Sequence, residues 1–110
     1  MNATAEAKTY NGWTNYETWA AALWMDNDEG SQRYWAERAQ ETFDSTRSNT
    51  VFTRREQSTL NLAAMLKDEH EEAAPELGAS IWSDLLSAAM SEINWHEIAE
   101  HLIADIDEDA

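Results

Sequence analysis

Read as apolar against polar positions, the chain resolves into helical stripes almost from end to end. Tyr16, Trp19, Ala20, Leu23 and Trp24 recur at the three- and four-residue steps that put side chains on one face of an α-helix. Asn27, Asp28, Glu29 and Gly30 then supply the punctuation that stops it. Trp35, Ala39 and Phe43 predict a second helix from Gln32 to about Phe43, and the polar run from Asp44 to Thr50 reads as a loop. Leu62, Met65 and Leu66 mark a third helix. Ile81, Trp82, Leu85, Leu86, Ala89 and Met90 mark a fourth, with Pro75 and Gly78 as the break before it. Ile98, Leu102, Ile103 and Ile106 mark a fifth.

Three of these stripes follow a helix-start signal. Thr14 with Glu17, Thr53 with Glu56 and Asn94 with Glu97 have the spacing at which a side-chain oxygen and a carboxylate satisfy backbone N–H groups of a first turn. No stretch alternates apolar and polar residues long enough to argue a sheet, although Thr50 to Thr53 suits a short extended segment. The expected fold is all-α, a single compact domain of about five short helices over residues 1–110. Residues 1–11 are expected as a flexible N-terminus and residues 105–110 as an acidic tail.

Six tryptophans bear on this small core. Burying one large aromatic side chain contributes roughly 2–3 kcal/mol, a sizeable part of the ~5–15 kcal/mol that holds a domain. Core positions are therefore expected for Trp19, Trp24, Trp35 and Trp82. Trp13 and Trp95 adjoin helix-start signals, and the sequence leaves open whether they pack the termini together or offer aromatic contacts to a partner.

Charge changes the picture more than composition does. Residues 1–67 hold nine acids and all seven bases, whereas residues 68–110 hold thirteen acids and no Lys or Arg. With a formal net charge of −15, the chain repels phosphates, so direct nucleic-acid binding is not expected. A basic protein surface is the natural partner. The chain has no cysteine, which removes disulfides and thiolate ligands and suits a reducing cytoplasm. No signal-peptide core or membrane span is evident, so a soluble protein of the host-cell cytoplasm is expected.

The segments GWTNYETW, Gly12 to Trp19, and INWHEIAEHL, Ile93 to Leu102, resemble the two signature segments of a family of short, acidic, largely uncharacterised proteins encoded by phages, plasmids and other mobile elements. That resemblance implies a mobile-element setting, in which small acidic proteins often antagonise host restriction or CRISPR systems. It implies no chemistry for any residue.

Motifs for chemistry are weak. His96, Glu97 and His101 imitate the zinc motif H-E-x-x-H, but the histidines are five apart, about 140° round a helix, where that motif needs four. Asp26, Asp28, Gly30 and Glu37 imitate a calcium loop with its glycine one position early. Ser80, Ser83, Ser87 and Ser91 read as the small polar face of the fourth helix, opposite Ile81, Leu85 and Met90. No nucleophile elbow, phosphate loop or dinucleotide fingerprint occurs, and no metal, cofactor or catalytic residue is expected.

The function expected is that of a non-enzymatic inhibitor of a host defence complex, anti-CRISPR or anti-restriction, acting as a DNA mimic. Duplex DNA shows one charge per about 1.7 Å of axis, and carboxylates on helices can offer a phosphate-binding groove a similar field. The candidate groups are Asp68, Glu69, Glu71, Glu72 and Glu76, then Glu97, Glu100, Asp105, Asp107, Glu108 and Asp109. The partner would be a basic nucleic-acid-binding protein of the host, a CRISPR effector or a restriction-modification enzyme. The alternative is a helical assembly module, such as a homodimer, with contacts through Trp13 and Trp95 and acidity serving solubility alone.

Overall fold

Every helix begins at a side chain that accepts a hydrogen bond from the backbone N–H three residues on, which satisfies one of the donors a helix start leaves over. The structure, a computed structural model, describes residues 10–107. Among these, Asn15 caps α1 (Tyr16–Asn27), Asp28 caps α2 (Glu29–Ser45), Thr53 caps α3 (Arg54–Ala73), Ser80 caps α4 (Ile81–Ser91) and Asn94 caps α5 (Trp95–Ala104). The fold is all-α, five helices with no strand among the described residues.

Two starts differ from expectation. Thr14 does not cap α1; Asn15 does, and the Thr14 N–H instead donates to Glu97 Oε1 at 3.1 Å. Helix α2 begins at Glu29, three residues before Gln32, because Asp28 both ends α1 and accepts from the Ser31 N–H at 2.8 Å. At Thr53 the reciprocal box forms in full, with the Thr53 N–H donating to Glu56 Oε1 at 2.9 Å and the Glu56 N–H to Thr53 Oγ1 at 3.1 Å.

The core is built around α5. Its Trp95, Ile98, Ala99 and Ile103 are buried with Trp35, Ala39 and Phe43 of α2, Leu62 and Leu66 of α3, and Met25 of α1. Helix α3 packs most extensively on α5, and α2 and α1 cover its remaining sides. Between α2 and α5 the His70 ring is sandwiched, stacked on Trp35 at 5.5 Å and on Trp95 at 4.8 Å, while its Nδ1 meets the Leu66 carbonyl at 2.7 Å.

Helix α1 turns a different face inward from the one its aromatics mark. Thr18 and Met25 are buried, and Ala21 and Ala22 pack against the core, whereas Tyr16 is exposed and Trp24 is 74% exposed. This inner stripe keeps helical spacing but lies two residues along from the expected one, about 200° round the helix. Small side chains let α1 lie close to the core, and the buried Thr18 Oγ1 accepts from the Asn94 N–H at 2.8 Å.

Helix α4 departs further. None of its residues is buried, and Ile81, Trp82 and Leu85 face solvent, with Trp82 at 65% exposure. Its half-buried side carries Ser83, Leu86 and Met90, so Ser83 does lie opposite Ile81 and Leu85 as expected, but it is the serine side that turns inward, and Met90 lies on that side. Of this helix, Met90 packs against the core.

A tight turn precedes α1. The Tyr10 N–H donates to the Trp13 carbonyl at 2.9 Å and the Trp13 N–H to the Tyr10 carbonyl at 2.7 Å. The central Asn11 and Gly12 both have positive φ, +47° and +89°, as the favoured two-residue hairpin turn requires. The turn delivers Trp13 onto α5, where its ring stacks on His101 at 4.2 Å.

Candidate functional site

Where the seven bases go decides the charge that the surface presents. Arg54 and Arg55, adjacent at the start of α3, each close the end of another helix. Arg54 Nε donates to the carbonyls of Phe43 and Thr46, both at 3.0 Å, with its guanidinium 4.2 Å over the Phe43 ring. Arg55 donates to the Ile103 carbonyl at 2.6 Å and to that of Ile106. Cations suit these positions because carbonyls and the helix dipole leave negative charge at a C-terminus. Arg38 pairs with Glu69 at 2.8 Å, half-buried between α2 and α3, and Arg47 donates to the carbonyls of Asp44 and Thr46. Arg33 and Lys67 make exposed pairs with Glu29 and Glu71, and Lys8 lies outside the described residues.

The expected carboxylates divide accordingly. Asp68, Glu71, Glu72, Glu76, Glu100, Asp105 and Asp107 are exposed. Glu71 and Glu76 line the shallow cleft between the end of α3 and α4, and Glu100 lines a second cleft with Glu56 between α3 and α5. Glu69 is committed to the fold: besides Arg38 it accepts from the Tyr34 hydroxyl at 2.7 Å, and this bond holds the Tyr34 phenol above its ordinary pKa of 10.0. Glu97 is a correction. It is 2% exposed and takes the Thr14 N–H, so it cannot present a phosphate-like charge to a partner. Glu108 and Asp109 lie outside the described residues.

The aromatic expectations also need correcting. Trp95 is 7% exposed against His70, which removes it as a partner contact, while Trp24 and Trp82, expected inside, lie in solvent. Trp35 is buried as expected, and Trp13 and Trp19 are half-buried.

The two signature segments meet each other. Thr14 reaches Glu97, Thr18 receives the Asn94 N–H and Trp13 stacks on His101, and just before the second segment the Glu92 carbonyl accepts from Asn15 Nδ2 at 2.7 Å. Side chains that imitate a zinc motif are thereby sent three ways: Glu97 inward to Thr14, His101 onto Trp13 and His96 to within 3.9 Å of Glu100. In the calcium-like segment, Asp26 accepts from Gln32 Nε2 at 3.0 Å and Asp28 serves as a cap.

The sequence announces neither of the clefts beside α3, nor a third concavity. A groove of about 310 Å³ lies where α1, α2 and α5 converge, lined by Trp13, Trp19, Trp35 and His101 with Asp26 and Asp105. These and the apolar residues between them, such as Leu23, Ile98 and Leu102, come from four separate stretches of chain, so no local spacing announces the groove.

Fold and surfaces together define a small all-helical protein with its arginines spent largely on carbonyls and its acids left outside. A model of the family of unknown function DUF7249 matches residues 6–108, and the chain belongs to that family. No curated protein and no solved structure matches it. No helix among the described residues is long and apolar enough to cross a membrane.

Proposed function

We propose that this protein is a non-enzymatic inhibitor that binds a basic, DNA-handling complex of a host defence system, restriction or CRISPR, in place of DNA. One observation carries the reading: Arg38, Arg54 and Arg55 are held in intramolecular contacts, while Asp68, Glu71, Glu72, Glu76, Glu100 and Asp105 stay exposed. A surface with acids outside and arginines committed attracts cationic grooves, and carboxylates can replace phosphates in pairing with Lys and Arg. The resemblance of GWTNYETW and INWHEIAEHL to proteins of mobile elements supports a defence complex as the target.

The test is binding at low and high salt to a CRISPR effector and to a restriction-modification enzyme. Binding should weaken steeply with salt, and the combined change Glu71→Gln, Glu72→Gln, Glu76→Gln and Glu100→Gln should abolish it while leaving helicity unchanged. Unaltered inhibition by that variant would overturn the electrostatic mechanism. Glu69 and Glu97 are left out of the variant because both support the fold.

A second reading is favoured by the exposed Ile81, Trp82 and Leu85 of α4, an apolar face of the kind that marks an interface. On this reading the chain is an assembly module that pairs through α4. Light scattering separates the two: a dimer that Trp82→Ser converts to monomer, with salt-independent partner binding, favours assembly.

A further inference from the structure

The groove between α1, α2 and α5 combines aromatic walls with acidic side chains. Trp13, Trp19 and Trp35 supply indole walls, and Asp26 and Asp105, both exposed, supply carboxylates from the ends of α1 and α5. No Lys or Arg is among the described residues that line it. At about 310 Å³ it stands at the small end of ligand pockets, too small for a helix or a folded surface but large enough for one long side chain.

We propose that this groove is a socket for a single arginine side chain of the partner. The inference rests on the reading of the protein as a binder of a basic surface and names one anchor within it. Arginine fits better than lysine because its guanidinium is planar and weakly hydrated, stacks on indole, and presents a fork of donors to carboxylates. A neutral apolar side chain would leave Asp26 and Asp105 unused. An anionic one would meet both of them in a chain of net charge −15. The Asp26 carboxylate is already oriented, since Gln32 Nε2 donates to its Oδ1 at 3.0 Å. The hairpin turn at Asn11 and Gly12 and the stack on His101 fix the Trp13 wall in the same way.

The probe is Nα-acetyl-L-arginine amide, with the citrulline analogue as its neutral isostere, titrated into the whole protein while the indole N–H signals are followed by NMR. The arginine compound should shift the Trp13, Trp19 and Trp35 signals saturably, with half-saturation on the order of millimolar. The citrulline analogue should leave those signals in place. Asp26→Asn and Asp105→Asn, both at exposed positions, should each weaken the arginine titration about two- to fivefold, the scale of an exposed ion pair, with the helical signal unchanged. No saturable shift, or equal shifts from citrulline, would overturn the socket. Salt-sensitive binding to a defence complex alongside a silent arginine titration would sink the socket alone; arginine uptake without any partner binding would sink the proposed function alone.

Discussion

Helices α4 and α5 are neighbours in the chain, similar in length, and both carry an unmistakable apolar stripe, yet one is the centre of the molecule and the other leaves its largest side chains in water. The difference lies in what surrounds each. Helix α5 is met by α1, α2 and α3 and is tied at both ends, by Thr18 and Thr14 at its start and by Arg55 at its finish. Helix α4 follows a proline- and glycine-containing break and touches the core through Met90. An amphipathic pattern states that a face favours cover; it does not state which partner supplies it.

The sharpest way to break the comparison is to truncate one large apolar side chain on each helix. Ile98→Ala empties a buried site on α5 and should cost about 2–5 kcal/mol in denaturant unfolding. A loss under about 1 kcal/mol would mean that α5 is not the centre of the core. Next in size, Arg55→Ala leaves the carbonyls of Ile103 and Ile106 without the guanidinium and should lower stability by roughly 1.5–3 kcal/mol, measured the same way. Thr18→Val keeps the shape of the buried side chain but strips the acceptor from the Asn94 N–H, for a loss of about 1–3 kcal/mol. Trp82→Ser on α4 should stay within about 0.5 kcal/mol of the parent, since an exposed side chain has little burial to lose. Equal losses from Ile98→Ala and Trp82→Ser would erase the distinction between the helices.

The smallest effect separates carboxylates that serve the fold from those left outside. Glu69 holds the Tyr34 hydroxyl, so the phenol should ionise above its usual range in a spectrophotometric titration, with Tyr34→Phe as the reference. Because the folded pKa is raised, the bond's contribution is complete below the ordinary phenol range and is lost as pH climbs through the folded value. Glu69→Gln should bring the ionisation down; an unchanged curve would remove Glu69 as the cause.

Much of the fold can be read from the chain because its signals are local. Trp35, Ala39 and Phe43 step by four with mostly polar residues between, and Thr53 with Glu56 forms the box that their spacing announces. Helix α1 misleads because Tyr16, Trp19, Leu23 and Trp24 outweigh Thr18, Ala21 and Ala22 on any hydrophobic scale, while close approach to α5 favours the smaller set. The Asn11-Gly12 dipeptide does carry a turn signal, which a search for helical stripes passes over. Glu97 looks like any helix-surface acid, since its burial depends on Thr14, 83 positions earlier. The groove joins Asp26 to Asp105 through three helices and has no signature along the chain.

The central position of α5 also bears on how the molecule is born. Ribosomes release a chain from its N-terminus, so α1, α2 and α3 emerge while the helix that fills the space among them is still unmade. Until Ile98, Ala99 and Ile103 arrive, Trp35, Leu62 and Leu66 lack their main apolar neighbour, and the two arginines at the head of α3 have only one of their two helix ends to close. The core as a whole therefore cannot close until residues 95–104 have been made, and a chain cut before residue 95 leaves Trp35, Leu62 and Leu66 without that cover.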